Sequence, residues 1–241
     1  MTNLTNLTRR QTLAVGGAAL VSLAGCLGTV GGGGGGGGEG DGSDGMDDTT
    51  ETTQSLQSHP AAQGLASQPS LGPADASATI VAFEDPSCPR CRAFEQNTVP
   101  KIRAELVDSG QARFVARTYP VIYEWGGPAV QALEATYARS EESFWGLFEQ
   151  YFAEQESFST ENVLPQTETW LSENTSLDAG AIVADAAAEA YDDAVQLDLD
   201  AGEAASVGRT TPTVFLFRDG EYVTRAGGSV SFELVSSALG L

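Results

Sequence analysis

Thr79-Ile80-Val81-Ala82-Phe83-Glu84-Asp85-Pro86-Ser87-Cys88-Pro89-Arg90-Cys91 is the stretch whose reading decides the fold. Its first half is a short, apolar, β-branched run of the kind that forms a buried strand. Two thiols three positions apart then open a helical run carrying Phe94, Ile102 and Leu106. Strand, tight turn and Cys-x-x-Cys at a helix start is the context in which this motif reads as redox-active. Pro89 suits a first helical turn, where its missing N–H has no partner to lose. Unpaired backbone N–H groups at that helix end favour an anion at Cys88. The thiolate is the attacking species, so Cys88 is expected to attack and Cys91, one turn deeper, to resolve.

The rest of the 241-residue chain supplies one further cysteine, Cys26, which closes the run Thr8-Arg9-Arg10-Gln11-Thr12-Leu13 … Leu23-Ala24-Gly25-Cys26. Paired arginines, a short apolar core and small residues before a cysteine look like a twin-arginine signal ending in a lipobox. The apolar stretch is too short for a hydrocarbon core about 30 Å thick. Residues 1–25 are therefore expected to be a signal peptide, with Cys26 lipidated and the protein held on the extracytoplasmic face of the membrane. A free thiol in an uncleaved anchor is the alternative.

Net charge is −21, from 33 acidic and 12 basic residues, and Lys101 is the only lysine. Such a composition resembles proteins adapted to molar salt, which stay hydrated through a negative surface. At about 1 M salt the screening length is about 3 Å, so the helix terminus is expected to matter more to Cys88 than the charge of Arg90. Nucleic acid is excluded as a partner, because phosphate contacts need clustered Lys or Arg.

Residues 26–75 read as a flexible linker: eight glycines from Gly31 to Gly38, an acidic Gly/Asp stretch, then a Thr/Gln/Ser-rich one. That composition buries too little apolar surface to offset chain entropy. The only histidine, His59, falls in it and is expected to be solvated. Residues 76–241 form one domain. Arg113 to Tyr119 is a second strand, parallel to the first through a right-handed crossover, and Pro100 is expected to kink the intervening helix. Helices are expected at Ala129–Arg139, Glu141–Gln155, around Trp170-Leu171, and at Ala181–Gln196. Pro212 to Phe217, the turn Asp219-Gly220 and Glu221 to Thr224 read as a β-hairpin, and Phe232 to Leu239 as a closing helix.

These landmarks together resemble the thioredoxin superfamily, in its branch of DsbA-like thiol–disulfide oxidoreductases. Phe83 to Cys91 is similar to that branch's active-site segment, with proline directly after the first cysteine. Phe144-Trp145-Gly146-Leu147-Phe148 resembles a helix of its inserted domain, and Val207-Gly208-Arg209-Thr210-Thr211-Pro212-Thr213 its cis-proline loop. The resemblance implies an α/β thioredoxin-like fold, a central mixed sheet flanked by helices, with a helical insertion at about 127–206. It implies catalysis by Cys88 and Cys91, supported by Pro89, Arg90, Thr211 and a cis Pro212, which would present the Thr211 backbone to an extended substrate. A trans proline at an edge-strand start is the alternative. Many superfamily members carry a buried acid six residues before the first cysteine, where this chain has Ala82. Glu84 or Asp85 could serve as proton relay instead, or either could be a solvated acid.

The expected function is a membrane-anchored thiol–disulfide oxidoreductase that forms, isomerises or reduces disulfides in secreted proteins. Its cofactor is none beyond the Cys88–Cys91 disulfide, and its partners are protein thiols or disulfides and an unidentified membrane or soluble redox partner. The competing reading is a non-enzymatic binding module with a structural disulfide, although so short a loop constrains the unfolded chain little. A zinc site is poorly supplied by two cysteines and a distant His59. Asn174-Thr175-Ser176 matches a glycosylation acceptor, a weak signal.

Overall fold

The computed structural model describes residues 54–241, so Cys26, the signal-like run and the glycine tract lie outside the described residues. At the centre is strand β2 (Ala78–Glu84), buried along its whole length. The short β1 (Ser70–Leu71) pairs antiparallel with β3 (Ala112–Thr118), and β3 runs parallel to β2. On the other side β4 (Thr213–Arg218) pairs antiparallel with β2, and β5 (Glu221–Gly227) with β4, giving the order β1-β3-β2-β4-β5. Phe83 pairs with Thr213, so residues that follow β2 and residues that precede β4 meet at one end of the sheet.

β2 alternates between two cores, as a period of two requires. Ala78, Ile80 and Ala82 face one cluster with Cys91, Phe94 and Phe148; Val81 and Phe83 face another with Val115, Ala201 and Phe215. Five helices fill the stretch between β3 and β4: α3 (Gly126–Tyr137), α4 (Glu141–Ala153), α5 (Val163–Asn174), α6 (Ala179–Ala187) and α7 (Asp192–Ala204). Ser140 caps α4 by accepting from the Ser143 N–H, and Phe144, Phe148 and Phe152 recur every four residues on its buried face. Helix α8 (Phe232–Leu239) closes the domain. This is the expected thioredoxin-like architecture with its helical insertion.

Three local expectations are corrected. The crossover is not one kinked helix. It comprises α1 (Pro89–Asn97), the single turn α2 (Val99–Lys101) and a π-helical segment Ile102–Val107. Pro100 supplies no N–H to the preceding turn, and the Thr98 hydroxyl at this junction donates to the Val230 carbonyl. The Ala181–Gln196 run is two helices, because Glu189 turns left-handed at φ +52° between α6 and α7. The two then pack differently, α6 on α3 and α5, α7 against β3 and the turn at Pro60–Ala62.

The third correction concerns residues 54–75, which belong to the folded domain and not to a linker. His59 is buried, stacked on Tyr222 at 4.7 Å between centroids and 5.2 Å from both Phe215 and Phe217. Its Nδ1 accepts from the Ala61 N–H, and burial lowers its pKa. The Leu56 N–H donates to Gly220 O, and Tyr222 N–H to Gln54 O. Gln68 donates to Asp198, which also receives Arg117 and the Thr118 N–H in a buried polar knot that ties this segment to β3 and α7. Ring stacking and backbone pairing hold the segment, so its polar composition misleads.

Candidate active site

Cys88 is the N-cap of α1, with extended backbone, and Pro89 occupies the first helical turn. Its sulfur lies 3.3 Å from the Thr211 carbonyl oxygen, and the Thr211–Pro212 peptide is cis. The sheet register thus brings Cys88, Cys91, Thr211 and Pro212 together from two ends of the domain. Both cysteines are free thiols here, and both are buried.

The two sulfurs are electrostatically unequal. Cys88 is pulled from an ordinary 9.0 to about 6. The largest cause is the hydrogen bond its sulfur can accept from Cys91; burial opposes it, and the Thr211 hydroxyl and the N–H groups of Cys91 and Arg90 help. The Thr211 hydroxyl is buried and makes no hydrogen bond of full geometry, while the Cys88 thiol donates to the Thr211 carbonyl. The guanidinium of Arg90 is absent from these causes. It is exposed and reaches toward Gly228, so the charge support expected of Arg90 is replaced by its backbone N–H. Cys91 goes the other way: burial, its bond to Cys88 and the nearby Glu84 push its thiol well above the usual range.

Glu84 and Asp85 are both buried, so neither is a solvated acid. They differ in what they touch. The Asp85 carboxylate accepts from Ser87 N–H (2.7 Å) and Oγ (2.6 Å), Val121 N–H (2.8 Å) and Ile122 N–H (2.7 Å). With four donors it clamps the loop after β3 against the cysteine loop, and those bonds oppose the rise that burial causes. That environment suits a fixed anion and not a proton carrier. Both Glu84 oxygens are buried without a hydrogen-bond partner. Burial first, then Glu95 and Cys88, raise its pKa well above the carboxylate range. Glu84 shares a strand face with Ala82, so an acid stands one pleat closer to the cysteines than the superfamily position.

Two contributors escape a sequence reading. Gln155, the buried residue of the turn after α4, donates its Nε2 to the Pro86 carbonyl (2.7 Å) and the Cys88 carbonyl (3.0 Å), which fixes the loop from the helical side. Glu95 lies one turn past Cys91, and its Oε1 is buried and unpaired. The i, i+4 spacing was a signal that could have found Glu95; no local signal points to Gln155. Among the described residues no group of three His, Cys, Asp or Glu is placed to hold a metal. No described helix is long and apolar enough to cross a membrane.

A parallel βαβ unit whose crossover helix opens on paired cysteines, with a helical domain set into it before a cis-proline strand, is DsbA-like architecture. The chain belongs to the thioredoxin family, whose model, described as Thioredoxin, matches residues 66–235. Among solved structures it is similar to oxidised BdbD from Bacillus subtilis, with a TM-score of 0.65 and 22% identity, covering 73% of this chain and 92% of that one. DsbA from Chlamydia trachomatis gives 0.62 and 19%, covering 72% and 90%. In sequence the chain is 28% identical over 155 residues to disulfide bond formation protein D of Bacillus subtilis strain 168, covering 63% of this chain and 68% of that protein. It is 29% identical over 109 residues to a probable disulfide bond formation protein D of Bacillus cereus, covering 45% and 47%. The match thus spans about half the length of the Bacillus cereus relative.

Proposed function

We propose that this chain is an exported, lipid-anchored protein thiol–disulfide oxidoreductase with Cys88 as attacking and Cys91 as resolving sulfur. The carrying observation is the unequal pair: Cys88 acidified to about 6 beside Thr211 and the cis Pro212, Cys91 buried and held as a thiol. The names of the Bacillus relatives support the same chemistry.

In the oxidising direction a substrate thiolate attacks the Cys88 sulfur of the Cys88–Cys91 disulfide. That bond breaks, and Cys91 leaves with the electron pair and takes a proton, leaving a mixed disulfide at Cys88. The substrate's second thiolate attacks its own sulfur in that bond, and Cys88 departs as thiolate. The substrate loses two electrons, the pair gains them, and a redox partner must reoxidise it. Thr211 and Pro212 offer backbone on which an extended substrate can pair as an added strand, and Asp85 and Gln155 hold the cysteine loop in place. Reduction runs through the same residues in reverse.

The direction we favour is oxidation or isomerisation. A thiol that ionises at about 6 in place of 9.0 stabilises the reduced pair by about 1.4 kcal/mol at neutral pH, and by more as pH rises toward 9.0. A stabilised reduced form makes the disulfide an oxidant. Equilibration with glutathione buffers is expected to give a potential well above the roughly −270 mV of thioredoxin. A value at or below that would overturn the oxidising assignment. Cys88→Ser is expected to abolish disulfide exchange with unfolded proteins; a parent chain no more active than that variant would make the chain a binding module. Export and anchoring are read from Arg9, Arg10 and Cys26. Cys26→Ser is expected to move the protein from the membrane to the soluble fraction, and continued membrane retention would refute lipidation there.

A further inference from the structure

Cys91 and Glu84 are both fully shielded from solvent, yet Cys91 must exchange a proton in every cycle of the reaction proposed above. A proton passed from Cys91 to Glu84 therefore still has no water to reach. The front is closed as well: Cys88 is 3% exposed, and a substrate in mixed disulfide covers that mouth further.

Behind α1 lies another opening. Where α1 ends and the α2 turn and π-helical segment diverge from α4, they leave a groove of about 470 Å³ lined by Glu95, Val99, Pro100, Arg103, Glu149 and Phe152. Glu95 is half-buried: its Oε1 is cut off from water, while the residue itself lines this groove. Its carboxyl lies against that of Glu84 without meeting hydrogen-bond geometry. Arg103 and Glu149 bond to each other across the groove and act on Glu95 in opposite senses.

We propose that Glu84 and Glu95 work as one proton-sharing pair, and that the proton of Cys91 travels by way of Glu95 to the groove behind α1. The inference rests on the exchange reading above. In resolution, Glu84 hands its own proton to the Glu95 carboxylate and takes that of Cys91 as the Cys91 sulfur attacks Cys88. The mixed disulfide breaks, the outgoing thiolate carries away the electron pair, and Glu95 releases a proton to water. Two carboxylates this close, in so dry a site, cannot both ionise at neutral pH, so the pair holds a proton ready to exchange. The groups facing the pair are Cys88 and Cys91 on one side, and Arg103 and Glu149 on the other. In this scheme Glu95 is a positioning and proton-transfer residue one step removed from the sulfurs.

Ellman's reagent, 5,5′-dithiobis(2-nitrobenzoate), separates the steps on the full chain. Attack by Cys88 releases one coloured thiolate, and Cys91 releases the second by resolving the adduct. Glu95→Gln, which keeps the shape but not the ionisation, is expected to slow the second release about 10- to 100-fold at neutral pH and leave the first unchanged. It is also expected to abolish the rise of the second rate with pH. Glu84→Gln should slow it comparably, and the double variant no further than either alone, as for groups acting as a unit. A second release in Glu95→Gln with the parent's rate and pH profile, while Glu84→Gln is slow, would overturn the proposal. A parent chain that never releases the second thiolate would instead refute the exchange reading itself. Should the kinetics be clouded by partial unfolding, stability decides: removing a buried acid should raise the melting temperature of Glu95→Gln above the parent's in alkaline buffer, and an equal or lower value counts against the pair.

Discussion

At Cys88 two opposing effects compete, and hydrogen bonding wins. Burial alone would raise the thiol, as it does at Cys91, but the Cys91 S–H, the Thr211 hydroxyl and two helix-terminal N–H groups converge on one sulfur and lower it. The sign of the resulting pH dependence follows from linkage. Between about 6 and 9.0 the unfolded chain binds the Cys88 proton and the folded chain does not, so the reduced form gains stability as pH rises and loses it as pH falls through 6. Glu84 and Glu95 act oppositely: their raised values mean the folded state keeps protons the unfolded state has lost, so stability falls as pH climbs out of the carboxylate range. The oxidised form retains both acids but has no thiolate. The melting temperature of reduced minus oxidised protein is therefore expected to increase from pH 5 to pH 8; a pH-independent difference would remove the stabilised anion from the account.

Among the elements, β2 and α1 do most to build the site, because one strand end and one helix start place sulfur, acid and cis-proline together. The loop after β3 is fitted to them closely. A Cβ on Gly126 would lie 2.7 Å from Asp85 Oδ1 and 3.1 Å from Ser87 Oγ. Gly126→Ala is thus expected to displace the Asp85 clamp and cost about 1–3 kcal/mol, read by denaturant unfolding; a neutral substitution would mean the loop is not held as described. Much of this level was legible in the chain. The β-branched run before Cys88, the Asp219-Gly220 turn and the aromatic stripe of α4 are local signals, and each forms the element its pattern implies. What stayed hidden depends on packing between distant segments. The spacing of Glu95 from Cys91 is local, but its meeting with Glu84 is set only when β2 packs against α1. The break at Glu189 is masked by alanines that suit either of two packing faces. His59 sits in polar sequence, and only the hairpin folding beside it supplies Tyr222 and Phe217.

For the whole molecule, charge and boundary matter most. A chain of net charge −21 with one lysine repels itself in dilute buffer. Its melting temperature is expected to rise from about 0.1 M to molar potassium chloride as screening shortens from about 10 Å to 3 Å; a flat or falling response would contradict that reading of the composition. The folded unit begins at least as early as Gln54, because the segment carrying His59 and Gln68 closes one face of the sheet. The central claim, however, stands on one sulfur. Titrating the ultraviolet thiolate absorbance of the reduced protein, with Cys88→Ser as reference, tests it most directly. A midpoint near 6 that vanishes in the variant is the predicted result, whereas a midpoint near the ordinary thiol value of 9.0 would contradict it.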